Sequence, residues 1–297
     1  MPRMTAVIEA ERLIKTFGAA RALDGLDLSV SAGEVHGFLG PNGAGKSTTI
    51  RILLGLMRSS GGRVSVFDTD PWADAAAIHS RLAYVPGDVA LWPNLTGGET
   101  IDLLAGLRGG ADPTLRAALV ADFDLDVRKR ARSYSKGNRQ KVALVAAFSR
   151  HADLYVLDEP TSGLDPVMEE VFREQVLRVK AEGATVLLSS HILSEVERLC
   201  DRVTIVRAGV AVEHGTLGEL RHLTSTAYSV TTDAPEHDFA TIKGVQHVRR
   251  DRDVVRFDVE ADAVDRVLAE LARHRVGALT VTPPSLEELF LRHYGSQ

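Results

Sequence analysis

The sequence predicts an α/β protein: a largely parallel sheet with a helical insertion, followed by a small α+β sandwich. Three observations predict it. Strand-like and helix-like patterns alternate from Leu26 to Val206. Gly40-Pro41-Asn42-Gly43-Ala44-Gly45-Lys46-Ser47 fits the pattern G-x-x-x-x-G-K-[ST] at a strand–helix junction. Beyond about Leu223 the order becomes βαββαβ, the order of a ferredoxin-like unit.

Each element has a local reason. Leu26, Leu28 and Val30 alternate with polar residues, which reads as a strand, and Val35 to Leu39 is a short apolar run that stops at Gly40. Lys46 to Met57 carries Ile50, Leu53, Leu54 and Met57 at helical spacing. Leu82 to Val85 reads as a strand. A helical stretch from about Gly97 to Arg150 follows, broken at Gly109-Gly110 and Asp112-Pro113. Strands at Leu154–Leu157, Ala184–Leu188 and Val203–Val206 then alternate with helices at Pro166–Ala181 and His191–Leu199. In the last part, strands are expected at Ala227–Thr231, Val245–Arg249, Val254–Val259 and Leu279–Thr282, with helices at Asp238–Ile242 and Ala263–His274. Pro283-Pro284 stops the last strand, and Leu286–Leu291 reads as a short terminal helix.

Composition narrows the function classes. Hydrophobic residues make up 44% of the chain and charged residues 25%, a balance that supports a packed core and excludes collagen, coiled coil and wholesale disorder. The formal net charge of −5 argues against a dedicated nucleic-acid binder, which is normally basic. Cys200 is the single cysteine, so there is no intrachain disulfide and no thiolate metal cluster. No apolar run approaches the roughly 20 residues of a membrane-spanning helix. The stretch Met1 to Ala10 carries Glu9 and lacks a signal-peptide core. Composition alone therefore predicts a globular cytosolic chain with no membrane connection.

The chemistry-bearing residues gather at predicted strand ends. In the phosphate-loop pattern, glycines let successive backbone N–H groups turn toward one anion, and the helix that leaves at Lys46 adds about half a positive charge. Lys46 reaches terminal phosphates and the Ser47 hydroxyl faces Mg²⁺. The bland reading is a glycine-rich strand–helix turn. Leu154-Tyr155-Val156-Leu157 runs into Asp158-Glu159. Two adjacent carboxylates at a strand end are costly without a cation nearby. Asp158 is expected on the Mg²⁺ side, with Glu159 acting on a water in line with the γ-phosphate. Taken alone, such a pair is an ordinary solvated strand end. Ser189-Ser190-His191 closes a third strand, where ligands collect in an open α/β sheet. His191 is expected to hydrogen-bond the γ-phosphate, against the alternative of a helix cap.

These residues together resemble the nucleotide-binding domain of ABC transporters. Gly40 to Thr48 read GPNGAGKST, the family's Walker A form, and Leu157 to Asp165 read LDEPTSGLD, its Walker B followed by its D-loop with Asp165. His191 matches the H-loop, thirty-two residues beyond Glu159. Phe17, in Lys15-Thr16-Phe17-Gly18, matches the aromatic position that stacks on adenine. Tyr134 to Gln140, with Ser135, Lys136, Gly137 and Asn138, stands where the family's LSGGQ signature belongs. The match runs from about Ile8 to Leu223.

The resemblance implies a P-loop NTPase fold with an ABC-type helical subdomain at about 87–150, and an accessory α+β domain at 224–297. It implies ATP and Mg²⁺ as cofactors, with Gly40 to Thr48 and Phe17 holding ATP, and Ser47 and Asp158 on Mg²⁺. Lys46, Glu159 and His191 would be catalytic. Two copies, or this chain and a related one, would pack head to tail, each site completed by the other chain's Ser135–Asn138 segment. A separate transmembrane permease would be the partner, so the chain would sit on the cytoplasmic face of the membrane through it, with no nucleic acid bound. Pro284 to Leu291 resembles the ending of drug-exporter ATPases of the daunorubicin-resistance type. Asp88 to Thr96, with Leu91, Trp92 and Pro93, falls where the family meets its permease, or is a loop tucked into the insertion.

Two departures stand out. After Tyr84-Val85-Pro86, where the family places a glutamine, this chain has Gly87 and then Asp88, so Asp88 or a water is expected to replace the missing Mg²⁺ ligand. Lys136 and Asn138 replace Gly and Gln of the signature. The expected function is an ATP-hydrolysing subunit of a small-molecule exporter; the alternative is a soluble non-transport or regulatory ATPase with weak turnover.

Overall fold

The computed structural model describes residues 6–222 and 226–282. The chain divides into two compact units between His214 and Gly215.

The first unit is built on two sheets. Strands β1 (Ala6–Phe17), β2 (Ala20–Ser31) and β4 (Gly61–Val66) form an antiparallel sheet in the order β2-β1-β4. Strands β3 (Val35–Leu39), β5 (Leu82–Val85), β6 (Leu154–Asp158), β7 (Thr185–Ser190), β8 (Arg202–Arg207) and β9 (Val210–Thr216) form the second, in the order β5-β6-β7-β3-β8-β9. From β5 to β8 every neighbouring pair is parallel. The antiparallel sheet was not predicted. Register shifts between Ala10 and Leu13 and again before Ile14 break the period-two alternation of β1, and Gly61-Gly62 open β4.

Strands β3, β6 and β7 are buried along their whole length, as strands covered on both faces must be. One face packs on the antiparallel sheet and on α1 (Lys46–Leu53), through Ile8, Leu26 and Val30 against Phe38, Ile50 and Leu187. Helices α6 (Pro166–Ala181) and α7 (Leu193–Leu199) pack on β7. Phe172 of α6 meets the Phe148 ring, which stacks on Tyr155 at 5.3 Å. Helix α2 (Ala75–Arg81) was not predicted; Asp74 caps it.

The helical insertion consists of α3 (Gly97–Gly106), α4 (Pro113–Asp122) and α5 (Lys136–Phe148). Each start is written locally. Thr96 and Glu99 make a reciprocal capping box on α3. Asp112 caps α4 ahead of Pro113, Ser135 caps α5, and Asp165 caps α6 ahead of Pro166.

The second unit contains α8 (Leu217–His222), β10 (Thr226–Thr232), α9 (Glu236–Ala240), β11 (Val245–Asp251), β12 (Val254–Val259), α10 (Val264–Leu271) and β13 (Val276–Thr282). Its sheet order β11-β12-β10-β13, antiparallel throughout, is the ferredoxin-like arrangement expected from the βαββαβ pattern. Val230, Val255 and Phe257 of the sheet pack with Phe239 of α9 and Val267 of α10. The predicted tail helix at Leu286–Leu291 lies outside the described residues.

Candidate active site

Parallel strands set side by side deliver their C-terminal loops to one place. Here β6, β7 and β3 are consecutive neighbours, with Asp158 in register with Ser189 and Leu39 with Ser190. The phosphate loop, the Asp158-Glu159 pair and His191 therefore meet at one edge of the sheet.

The loop from Gly40 to Gly45 swings into α1 through Gly45 at φ 111°, a left-handed conformation that favours glycine. Lys46 opens the helix and is buried. Its ammonium donates to the carbonyl of Gly40 at 2.5 Å and of Pro41 at 3.3 Å, and lies 3.8 Å from Glu159 Oε1. Burial holds the Lys46 ammonium below its ordinary value, opposed by the charges of Glu159 and Asp158. A cation so placed faces the site rather than solvent.

Ser47 Oγ donates to Asp158 Oδ2 at 3.3 Å. Asp158 Oδ1 is buried with no hydrogen-bond partner. A hydroxyl and a carboxylate oxygen that lacks a donor make an oxygen donor set suited to a hard divalent cation, so these residues fit Mg²⁺. The nearby Tyr84 phenol is pushed up to about 12, by burial first and then by the Asp158 charge.

Glu159 has a left-handed backbone at φ 47°, uncommon for a side-chain-bearing residue. The conformation is held by its own N–H, which donates to the Ser189 carbonyl at 2.8 Å. Its Oε2 lies 2.9 Å from His191 Nδ1, so the carboxylate stands between Lys46 and His191. His191 sits two residues before α7 rather than opening the helix as predicted, which leaves its exposed ring free of the helix.

The remaining predicted residues are placed as follows. Pro41 to Thr48 form the loop and first turn of α1. Phe17 ends β1 with its ring half exposed and the Lys15 ammonium 5.1 Å above it. Ser135 caps α5 by accepting from Asn138 N–H at 3.2 Å, so Ser135 to Asn138 present the start of a thirteen-residue helix. Asp165 caps α6 through the N–H groups of Val167 and Met168. A side chain at Gly87 would begin 3.2 Å from the Asp158 carbonyl oxygen, so this stretch runs beside the acidic pair. Asp88 itself is exposed and makes no hydrogen bond or ion pair among the described residues.

One relationship had no signal in the sequence. Lys136 Nζ donates to Ser162 Oγ at 2.7 Å, and a Cβ on Gly137 would fall 2.3 Å from the Gly163 carbonyl oxygen. The Ser135–Asn138 segment thus lies directly on the loop after Glu159. Leu91 and Trp92 line an apolar groove of about 370 Å³ with Leu56, Tyr84 and Leu107, and Trp92 and Leu107 are exposed. Among the described residues no helix is long and apolar enough to cross a membrane.

Comparison with known proteins agrees with the geometry. Residues 23–162 match the ABC transporter family, and residues 215–294 match the C-terminal domain of ATP-binding proteins like DrrA1-3. The chain is 34% identical to the daunorubicin/doxorubicin resistance ATP-binding protein DrrA of Streptomyces peucetius, over 97% of this chain and 92% of that protein. An ATP-binding subunit of an ABC transporter superposes with a TM-score of 0.68 at 33% identity, over 73% of this chain and 92% of that one. A dimeric bacterial ABC transporter cassette shares the fold with a TM-score of 0.64 at 22% identity, over 71% of this chain and 98% of that one. With Walker A, the acidic pair and the H-loop histidine assembled at one sheet edge, the chain belongs to the ATP-binding subunits of ABC transporters, ATPases that couple hydrolysis to transport, and carries the DrrA-type C-terminal domain.

Proposed function

We propose that the chain powers a small-molecule exporter, with Mg²⁺ as the metal and a separate membrane-spanning permease as partner. The observation that carries the catalytic part is the Glu159 carboxylate, held between Lys46 and His191 beside the Ser47–Asp158 pair. Gly40 to Thr48 wrap the phosphates, and Phe17 stacks on the adenine. Ser47 and Asp158 hold Mg²⁺, with Asp88 or a water in the place of the family's glutamine. When bound, the ion neutralises charge on the phosphate oxygens. Glu159 accepts the proton of the attacking water, Lys46 faces the terminal phosphates, and His191 aligns Glu159 and the γ-phosphate.

Two such subunits, identical or related, close on ATP. Ser135, Lys136, Gly137 and Asn138 of one then complete the site of the other with a helix N-terminus and its N–H groups, and Asp165 orders the D-loop between them. The exposed ends of the groove at Trp92 and Leu107 are offered to the permease, which would hold the chain on the cytoplasmic face of the membrane. Export of a drug-like compound is supported by the resistance protein named above. The motor ends at His214, with the helical insertion at about 87–150, and the accessory domain begins at Gly215 rather than at residue 224 as the sequence pattern suggested.

The purified chain should turn over ATP with Mg²⁺. Glu159→Gln should bind ATP, lose turnover by about 10²–10⁴-fold, the scale of a general base, and accumulate as an ATP-dependent dimer. Full turnover in that variant would remove Glu159 from the chemistry. A strictly monomeric variant at saturating ATP would remove the homodimer.

A further inference from the structure

The ferredoxin-like unit contains a cluster of metal-ligating side chains that the ATPase reading does not use. Glu270 lies in the last turn of α10 and His274 three residues beyond its end, and both come together with Asp238 of α9. Asp238, Glu270 and His274 each offer one ligand atom, and these three atoms lie within 4.8 Å of one another. His274 Nε2 is 3.2 Å from Glu270 Oε1 and 3.3 Å from Asp238 Oδ2. The side chains are 22%, 18% and 22% exposed for Asp238, Glu270 and His274, so the cluster is sheltered but reachable.

The 3.2 Å contact between His274 and Glu270 is a hydrogen bond as it stands, and the same spacing suits a shared cation. Charge-assisted N–H···O⁻ bonds run at about 2.7–2.9 Å, and both contacts here are longer. Ligands bonded at about 2.0–2.1 Å around a tetrahedral Zn²⁺ stand about 3.3 Å apart along each edge. Two edges of such a tetrahedron are thus already in place. The outer oxygens are occupied as well. His237 Nε2 lies 2.9 Å from Asp238 Oδ1, and Arg273 Nη1 donates to Glu270 Oε2 at 3.0 Å. Each carboxylate therefore has one oxygen engaged from outside and the other turned inward. That is how outer partners orient first-row metal ligands.

We propose that Asp238, Glu270 and His274 form an open three-ligand site for a divalent transition-metal cation of the Zn²⁺ class. An imidazole with two carboxylates suits a borderline cation better than Mg²⁺, which takes oxygen ligands in octahedral geometry. A bound cation joins α9 to α10 across the face of the sheet. Water fills the fourth position.

The test uses the full-length chain, free of affinity tag and stripped of metal, without nucleotide. Zn²⁺ is titrated against a chromogenic chelator, and Co²⁺ is added separately to read coordination geometry from its visible absorption. The expected result is one Zn²⁺ per chain that excess Mg²⁺ does not displace, with a tetrahedral Co²⁺ spectrum. Glu270→Gln keeps the shape of the side chain and should weaken binding at least tenfold. His274→Ala should abolish it, and His247→Ala, which alters an exposed histidine paired with Asp258 in the same unit, should leave it unchanged. Circular dichroism shows that each variant is folded; if His274→Ala is not, Glu270→Gln decides. Equal Zn²⁺ affinity in wild type and Glu270→Gln, or no Zn²⁺ bound by the wild type, overturns the proposal.

Discussion

Lys136 Nζ and Ser162 Oγ are joined by a 2.7 Å hydrogen bond, which ties the start of α5 to the loop that follows Glu159. A lysine at this place in the signature is a departure from the family form, and its partner explains what it does within one chain. The bond is exposed to competing water, so it contributes little to stability. Lys136→Ala and Ser162→Ala should each lower ATP turnover several-fold while nucleotide affinity stays near wild type. The double variant should be no worse than either single one. Additive losses in that cycle would show that the two residues act separately.

Gly137 tests the same junction through the backbone. An alanine Cβ would fall 2.3 Å from the Gly163 carbonyl oxygen, a distance that forces one backbone segment to move. Gly137→Ala should cost about 1–3 kcal/mol, the scale of overpacking, and suppress turnover. A melting temperature and turnover equal to wild type would mean that the two segments are not held this close.

Glu195 is partly buried, and its Oε2 accepts from Ser190 Oγ at 2.7 Å. Burial raises its carboxyl above the ordinary value. The folded state therefore holds a proton that the unfolded state releases, and the stability so gained is full below the unfolded value. It is lost as pH rises through the folded value. Glu195→Gln, which cannot ionise, should raise the melting temperature at pH 7 and change it little at pH 4. A uniform shift at both would assign the effect to packing.

Asp88 follows Gly87, which runs beside Asp158. Asp88→Ala should raise the Mg²⁺ concentration needed for half-maximal turnover. An unchanged Mg²⁺ dependence leaves a water in that position. Asp158→Asn, by contrast, changes a buried carboxylate already in contact with Ser47 and should remove most Mg²⁺-dependent turnover.

How far the sequence reaches depends on the range of the interaction. Thr96 with Glu99, Asp112 with Leu115, and Ser135 with Asn138 are contacts within four residues, and each helix start follows from them. The strands Val35–Leu39, Leu82–Val85 and Val254–Val259 were legible in full because each is a short, mainly apolar run or an alternating one with clear bounds. Strand β1 was not legible, because its bulges break the period-two alternation and its register is fixed by pairing with β2 across a tight turn and with β4, far along the chain.

The sequence by itself determined that Gly40 to Ser47 turn into a helix with Lys46 at its start, that Asp158 and Glu159 end an apolar strand, and that the last part folds as βαββαβ. Those are matters of spacing and local sterics. Only the tertiary structure decided that Glu159 adopts a left-handed backbone between Lys46 and His191, and that Lys136 meets Ser162. It also decided that Asp238 faces Glu270 and His274. The partners in each of these are brought together by strand order and helix packing, which no local pattern encodes.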